Sequence, residues 1–311
     1  MGYRNIFDTK TIDRIVWFIP IKKLRDNVRD LLTAFFLTYK RVNIIMNKLN
    51  YINNDKPKDY VSILATIKNE APYIKEWIEY HRMIGVDRFY IYDNDSTDNI
   101  KEVLKDYIKS GIVIYNFFGG IGKQLDIYED GIDRYGANTF WMAIIDLDEF
   151  IVPAKSYDII TFLKDYEQYP AIAVNWIQFD GNNHIKKPEG LVIENYKRAF
   201  LPAHPLNQIT KSIVQSKYVY EYLDAHHFQY TNGMAVNENF EYSTGRDMPN
   251  SINKIRINHY ATKSLEEYKQ KINKKDNDGI TKNDMSIYKA EPSYIDNIMD
   301  KYIDDLKKRL L

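Results

Sequence analysis

The chain has 311 residues, with 43 Lys and Arg balanced by 43 Asp and Glu, and no cysteine. The even balance gives no electrostatic footprint for nucleic acid, and the missing thiols exclude disulfides, cysteine-ligated zinc and thiol catalysis. The length suits one large domain or two small ones. The 26 tyrosines and 14 phenylalanines can fill a core or face sugar rings, and the core is the commoner use.

Residues 1–58 read as a leader, with twelve Lys and Arg against five Asp and Glu. No charged region followed by an apolar stretch marks a secretory signal. The longest uncharged run there, Leu31 to Tyr39, is far short of the roughly 20 residues of a membrane span. After Pro20, the residues Leu24, Val28, Leu31, Leu32, Phe35 and Tyr39 share one stripe of a long helix. Such a basic amphipathic helix can lie on an anionic membrane surface or pack on the main domain with its basic face in water, which is the commoner fate. The expected location is cytoplasmic, either free or peripheral on the inner face of the cytoplasmic membrane. Asn53 to Asp59, polar and containing Pro57, reads as a linker.

Strands then alternate with helices. Val61–Ile67 predicts a strand, followed by Lys68-Asn69-Glu70 and a helix from Ala71-Pro72 to Ile84, with Gly85 placed to end it. Arg88–Tyr92 predicts a second strand. It runs into Asp93-Asn94-Asp95-Ser96-Thr97-Asp98 and a helix with Ile100, Val103, Leu104 and Tyr107 on its apolar face. Ile112–Phe118 is a third strand, and a helix spans Lys123–Tyr135. This order predicts an α/β fold with a doubly wound, mostly parallel sheet. Ligands in such sheets sit beyond the carboxyl ends of the strands. Three polar clusters fall there: Lys68 to Glu70, Asp93 to Asp98, and Asp146 to Glu149.

The last cluster ends the run Trp141-Met142-Ala143-Ile144-Ile145-Asp146-Leu147-Asp148-Glu149-Phe150. Five uncharged residues without polar alternation read as a strand buried on both faces. On extended chain, Asp146 and Asp148 point to one side and Leu147 and Glu149 to the other. Two carboxylates on one side repel and call for compensation. A divalent cation held by oxygens would supply it; capping the next element or pairing with Lys and Arg would do so too. The spacing leaves these alternatives open.

Further on, a helix Ser156–Tyr166 and a strand Ala171–Phe179 continue the pattern. An irregular region follows that holds His184, His204, His226, His227 and His259. Asn253–Asn258 predicts a short strand ending at His259, and Ser264 with Glu267 forms a capping box before a helix. Asp276 to Gly279 reads as a turn, and the tail from Tyr294 as an amphipathic helix. The segments are therefore a helical leader over 1–58, a main domain over 59–275 and a helical tail over 276–311.

Several motifs in order resemble glycosyltransferase family 92 and its family 2-like bacterial relatives. They are Lys68-Asn69-Glu70 with Tyr73-Ile74, Glu76-Trp77, Tyr80-His81 and Gly85-Val86; Tyr92-Asp93-Asn94 with Ser96 and Asp98; and Asp146, Asp148-Glu149-Phe150 and Pro153. Gly190-Leu191-Val192, His226-His227 and Asn258-His259-Tyr260 with Lys263-Ser264 and Glu266-Glu267 complete the series, from about Val61 to about Lys271. The leader Ile15-Val16-Trp17-Phe18-Ile19-Pro20 with Lys22-Lys23-Leu24-Arg25 looks like bacterial lipopolysaccharide or capsule glycosyltransferases.

The resemblance implies a GT-A fold, hexosyl transfer from a nucleotide-sugar donor (UDP-linked) to a glycan or lipid-linked glycan acceptor, and a divalent metal, Mn2+ or Mg2+. It implies that Asp146 and Asp148, with His259, hold the metal on the donor diphosphate. A metal there neutralises the charge growing on the leaving group. Lys263 and Ser264 would add positive charge and a helix N-terminus with free N–H groups for phosphate. Thr66, Lys68, Asn69, Glu70, Asp93, Asn94, Asp95 and Lys123 would line the nucleotide. An inverting enzyme also needs a carboxylate base. Asp180 is the first choice, although relatives carry Phe-Gly-Ser where this chain has Phe179-Asp180-Gly181; Glu194 and Glu149 are alternatives. His184, His226 and His227 remain as acceptor-site residues or competing ligands. A nucleotidyltransferase of the same fold would need a Gly-rich loop where Lys68-Asn69-Glu70-Ala71 stands, and a non-catalytic carbohydrate-binding module would not need the acid pair intact.

Overall fold

The computed structural model describes residues 9–35, 42, 57–273, 288 and 293–311. The chain divides into two compact units, Met1–Asp55 and Lys56–Leu311. Expectations that fall on Tyr39, on most of the linker and on Asp276 to Gly279 lie outside the described residues.

In the first unit, α1 (Thr9–Val16) is followed by α2 (residues 22–35). Arg29 of α2 reaches back to Asp13 of α1 at 2.6 Å and also holds Asp26. The predicted helix after Pro20 forms. Its apolar residues Leu24, Leu31 and Phe35 are nevertheless exposed, as are Trp17, Phe18 and Ile21 in the bend before it.

The second unit opens with β1 (Asp59–Ile67), α3 (Ile74–Met83) and β2 (Arg88–Asp93). Next come α4 (Ile100–Val103), α5 (Lys105–Lys109), β3 (Val113–Phe117), α6 (Gln124–Tyr135), β4 (Thr139–Ile144), β5 (Glu149–Pro153), α7 (Ile159–Lys164) and β6 (Ala171–Gln178). The irregular region holds α8 (Val192–Asn195), β7 (Arg198–Phe200), β8 (Thr210–Val214), β9 (Val219–Tyr222) and β10 (Phe228–Tyr230). The chain closes with β11 (Ile255–His259), α9 (Leu265–Asn273), β12 (Ser293–Ile295) and α10 (Asp300–Leu310).

Eight strands form one sheet in the order β3-β2-β1-β4-β8-β6-β11-β5. β3, β2, β1 and β4 run parallel, as do β6 and β11, while β8 and β5 run antiparallel to their neighbours. The mostly parallel α/β sheet expected from the alternation is therefore present. Successive residues of β1 point to opposite faces, and both faces are covered. Ile63, Ala65 and Ile67 pack with Trp77, Ile78, Leu163 and Tyr302, whereas Leu64 packs with Ile127, Tyr128 and Ile132 of α6. Each such side chain stabilises the fold by about 1.5–3 kcal/mol through burial. Gly85 adopts φ +102 at the end of α3, a left-handed conformation that glycine reaches without a Cβ penalty.

Two expectations are corrected. The irregular region carries four strands, and β8 lies in the centre of the sheet. The described tail residues are integral to the second unit: β12 pairs with β7, α10 packs on α3, and the buried Arg256 holds Asp296 at 2.7 Å. The strand β12 stands where the helix from Tyr294 was expected, and that helix begins at Asp300.

His81 of α3 shows how a histidine serves packing. Its ring is fully buried, Nδ1 lies 2.8 Å from the Trp77 carbonyl, and Nε2 accepts from the Ile151 N–H at 3.2 Å. Burial lowers its pKa to about 3, so the folded protein keeps it neutral. A histidine depressed below its unfolded value near 6.5 contributes stability that is full above that value and lost as pH falls toward the folded one. Thermal melts between pH 7.5 and 4 should show the midpoint falling once the pH drops below about 6.5. His81→Asn, less stable at neutral pH, should show a shallower fall; an equal slope would remove His81 from the account.

Candidate active site

The carboxyl ends of β1, β4, β6 and β11, with the first residues of the reversed strands β5 and β8, meet on one edge of the sheet. The acid pair lies there, but not on extended chain. β4 stops at Ile144, and the Glu149 N–H donates to the Asp146 carbonyl at 3.1 Å, closing a turn that leads straight into β5. The two carboxylates therefore have different partners rather than a shared side. Asp146, about a third exposed, binds Lys211 of β8 through Oδ2 at 2.8 Å. Asp148 binds Lys271 of α9 at 2.6 Å and has its Oδ1 3.5 Å from His259 Nε2. Its backbone carbonyl accepts from the Tyr260 N–H at 2.8 Å, which locks the turn onto β11. Burial alone would raise the Asp148 pKa, but Lys271 and then His259 outweigh it and hold this carboxylate well below the usual range.

Glu149 is wholly buried, which drives its carboxyl well above the ordinary value. Oε2 accepts from the Asp146 N–H at 3.0 Å, and Oε1 lies 3.7 Å from Lys211. Beside the pair, Trp176 of β6 lies between His259 and His226, with ring centroids at 4.2 and 5.3 Å. His226 has Nδ1 2.9 Å from the Thr210 carbonyl, and burial first, then Lys211, lowers its pKa to about 4. Glu70 is half-buried after β1, raised by burial and opposed by Lys263. Thr66 Oγ1, Trp176 Nε1 and His259 Nδ1 are buried without a hydrogen-bond partner. Unsatisfied buried polar atoms are uncommon in folded proteins; these three lie toward the carboxyl ends of β1, β6 and β11, and others, such as Tyr302 Oη and Gln215 Oε1, lie elsewhere in the fold.

Other sequence candidates serve the frame. Asn69, in a left-handed conformation, accepts from Thr97 N and Asp98 N and so ties the loop after β1 to the loop after β2. Asp93 accepts from Ser96 N, Asn94 donates to the carbonyls of Phe118 and Gly120, and Asp95 accepts from Gly120 N. These three hold the loops after β2 and β3 together. Lys123 pairs with Asp126, and Lys68 is exposed. Ser264 and Glu267 form the predicted capping box. The N–H groups of Leu265 and Glu266 donate to the carbonyls of His184 and Ile185, so the start of α9 has no free N–H for phosphate there. Lys263 stands over the Tyr73 ring at 4.1 Å, with a left-handed backbone. That turn needs Gly181, because a Cβ there would meet the Lys263 carbonyl oxygen at 2.6 Å.

The three base candidates are all committed. The Asp180 carboxylate is buried and bonded to Arg198 Nε at 2.6 Å and to Asn182 N. Glu194 pairs with Lys307 of α10 at 2.6 Å, and Glu149 is enclosed beneath the turn. His184 packs against Tyr196 with Nε2 near the Asn195 carbonyl, and His227 sits in the bend before β10 with its N–H bonded to Asp224. Neither is seen at the acid pair.

Sequence reasoning missed Lys211, Lys271 and Trp176. A signal existed for the first: Ile209-Thr-Lys211-Ser-Ile-Val214 carries one lysine in a strand-like run of β-branched residues.

A divalent metal fits part of this geometry. Asp148 and His259 approach closely enough to be two ligands of one ion, since ligands at about 2.0–2.3 Å and right angles lie about 3 Å apart. Among the described residues no group of three His, Asp or Glu side chains converges on one point. The remaining positions would fall to phosphate oxygens and water, the usual pattern for magnesium.

Acidic, basic and aromatic side chains grouped beyond the carboxyl ends of a doubly covered parallel sheet define an α/β ligand-binding protein. The chain belongs to glycosyltransferase family 92, whose model matches residues 59–298. A family 92 protein of Oryza sativa subsp. japonica is 29% identical over 220 residues, covering 68% of this chain and 34% of that protein. Galactan beta-1,4-galactosyltransferase GALS3 of Arabidopsis thaliana is 33% identical over 148 residues, 43% of this chain and 29% of the relative. The chain thus spans about a third of the length of these relatives. Among solved structures, S. aureus TarS 1-349 overlaps 50% of this chain and 47% of its own at 12% identity and a TM-score of 0.36. Both sequence relatives are plant proteins, which gives no support to the bacterial lipopolysaccharide or capsule type expected from the leader.

Proposed function

We propose that this protein transfers a hexosyl group from a UDP-linked sugar to a glycan or lipid-linked glycan, with a divalent metal, manganese or magnesium, and inversion at the sugar carbon. Family membership supports sugar transfer, and the galactosyltransferase relative supports a glycan acceptor. The observation that carries the reading is the approach of Asp148 and His259 at 3.5 Å, at adjoining ends of β5 and β11. These two would hold the metal, which when bound would neutralise the departing diphosphate. Asp146, fixed by Lys211, faces the donor from the other side of the turn, and Lys263 adds positive charge at the same edge. The acceptor hydroxyl needs a base other than Asp180, Glu194 or Glu149, whose carboxylates are engaged as described. The test is a screen of nucleotide-sugar donors in which nucleotide release is followed with and without manganese. Release that needs both the metal and an added glycan is expected; no release from any donor, with any cation, would refute the reading.

The leader supports a second contact, with an anionic membrane on the cytoplasmic face. Trp17 is 78% exposed and Phe18 72%, beside Lys22, Lys23 and Arg25. Aromatic rings next to basic side chains suit the headgroup boundary. The protein is expected to sediment with anionic vesicles and to come off in high salt, since such attraction is screened within about 8 Å at physiological ionic strength. Equal partitioning onto neutral and anionic vesicles would argue against this contact.

A further inference from the structure

We infer that Lys211 is the positioning residue of the acid pair: its buried ammonium fixes the carboxylate of Asp146 for the donor and holds Glu149 beneath the turn. The inference rests on the transfer reading above.

Three observations carry it. The first is placement. β8 runs antiparallel between β4 and β6, with Ser212 opposite Ile144, so Lys211 stands one residue nearer the edge where the acids lie. The second is burial, for the Lys211 side chain is only 1% exposed. A buried ammonium carries a desolvation penalty of several kcal/mol and persists only with close anionic partners. Lys211 has the Asp146 carboxylate at 2.8 Å, and the Glu149 carboxyl stands at 3.7 Å. The third is the asymmetry of those partners. Glu149 is wholly enclosed and fixes the turn through the Asp146 N–H, whereas Asp146 remains about a third exposed. Lys211 thus meets one enclosed carboxyl and one carboxylate that remains open at the site edge. Lys211 does not itself reach solvent, so it acts through Asp146.

Calorimetric titration with UDP in the presence of manganese tests this without relying on turnover. Lys211→Met combined with Glu149→Gln removes both enclosed ionisable groups together, so no orphaned charge is left in the sheet. This variant should weaken UDP binding by about tenfold, on the scale of coupled contacting pairs. The same two changes made in an Asp146→Asn background should alter the dissociation constant less than about twofold, because the coupled partner is already gone. Equal losses in both backgrounds, or unchanged binding in the first, would overturn the role of Lys211. If the neutral pair does not fold, Lys211→Arg serves instead. Its planar fork cannot place nitrogen where the lysine places it, so binding should weaken by a few fold, and an unchanged constant overturns the inference. Wild-type protein that binds no UDP and releases nucleotide from no donor would sink the transfer reading as well; wild-type binding with unimpaired variants sinks only this one.

Discussion

Asp148→Asn is expected to leave a folded protein whose metal-dependent turnover falls about 10²–10³-fold, the equivalent of about 3–4 kcal/mol of transition-state stabilisation. The substitution keeps the volume and removes the charge. The turn should survive, because it is held by the Asp148 carbonyl to Tyr260 N, by Asp146 to Lys211, and by the Asp146 carbonyl to Glu149 N. The ion pair that is lost involves Lys271, whose side chain is 55% exposed and can turn to solvent, so no charge is left enclosed. Nucleotide release at saturating manganese, alongside a thermal melt, checks both halves. Wild-type turnover in the variant would remove Asp148 from the metal. His259→Ala should act differently, raising the manganese needed for half activity. Lys263→Ala should leave that requirement alone and weaken donor binding.

The second large effect is on stability. Arg198→Ala takes the cation from the buried Asp180 carboxylate, which has Arg198 Nε at 2.6 Å and also accepts from Asn182 N. Removing one partner of a buried pair costs about 3–5 kcal/mol. At about 2–4 °C per kcal/mol for a unit of this size, the melting midpoint should fall by about 6–20 °C. Replacing both partners, Arg198→Met with Asp180→Asn, should recover much of that loss and keep nucleotide release near wild type. A double variant that is stable but inactive would return Asp180 to the chemistry as the base.

These two residues also show where sequence and structure part. Asp180 looked catalytic because it follows a strand, and it does follow β6. What could not be read was Arg198, eighteen residues on, which β7 brings alongside through the Phe179–Ala199 bridge. The same holds for the loops after β1 and β2. Asn69, Asp93, Asn94 and Asp95 were legible as polar residues at strand ends, but a side chain that binds a nucleotide and one that binds a neighbouring loop have the same composition.

The sequence by itself determined the alternating half of the fold. Apolar runs broken by polar turns and by Gly85 specify β1 to β4 and their helices through local periodicity, which needs no partner to be read. It also determined the capping box at Ser264 and the place of the acid pair at a strand end, since both depend on spacing within a few residues. Only the tertiary structure decided which cation meets which carboxylate. Asp146 and Lys211 are 65 residues apart in sequence, and Asp148 and Lys271 are 123 apart. Such pairings follow from strand order, in which β8 is inserted between β4 and β6 and α9 folds back over the turn. Electrostatic energy depends on separation in space and on burial, and neither is encoded in the local pattern that makes a strand a strand.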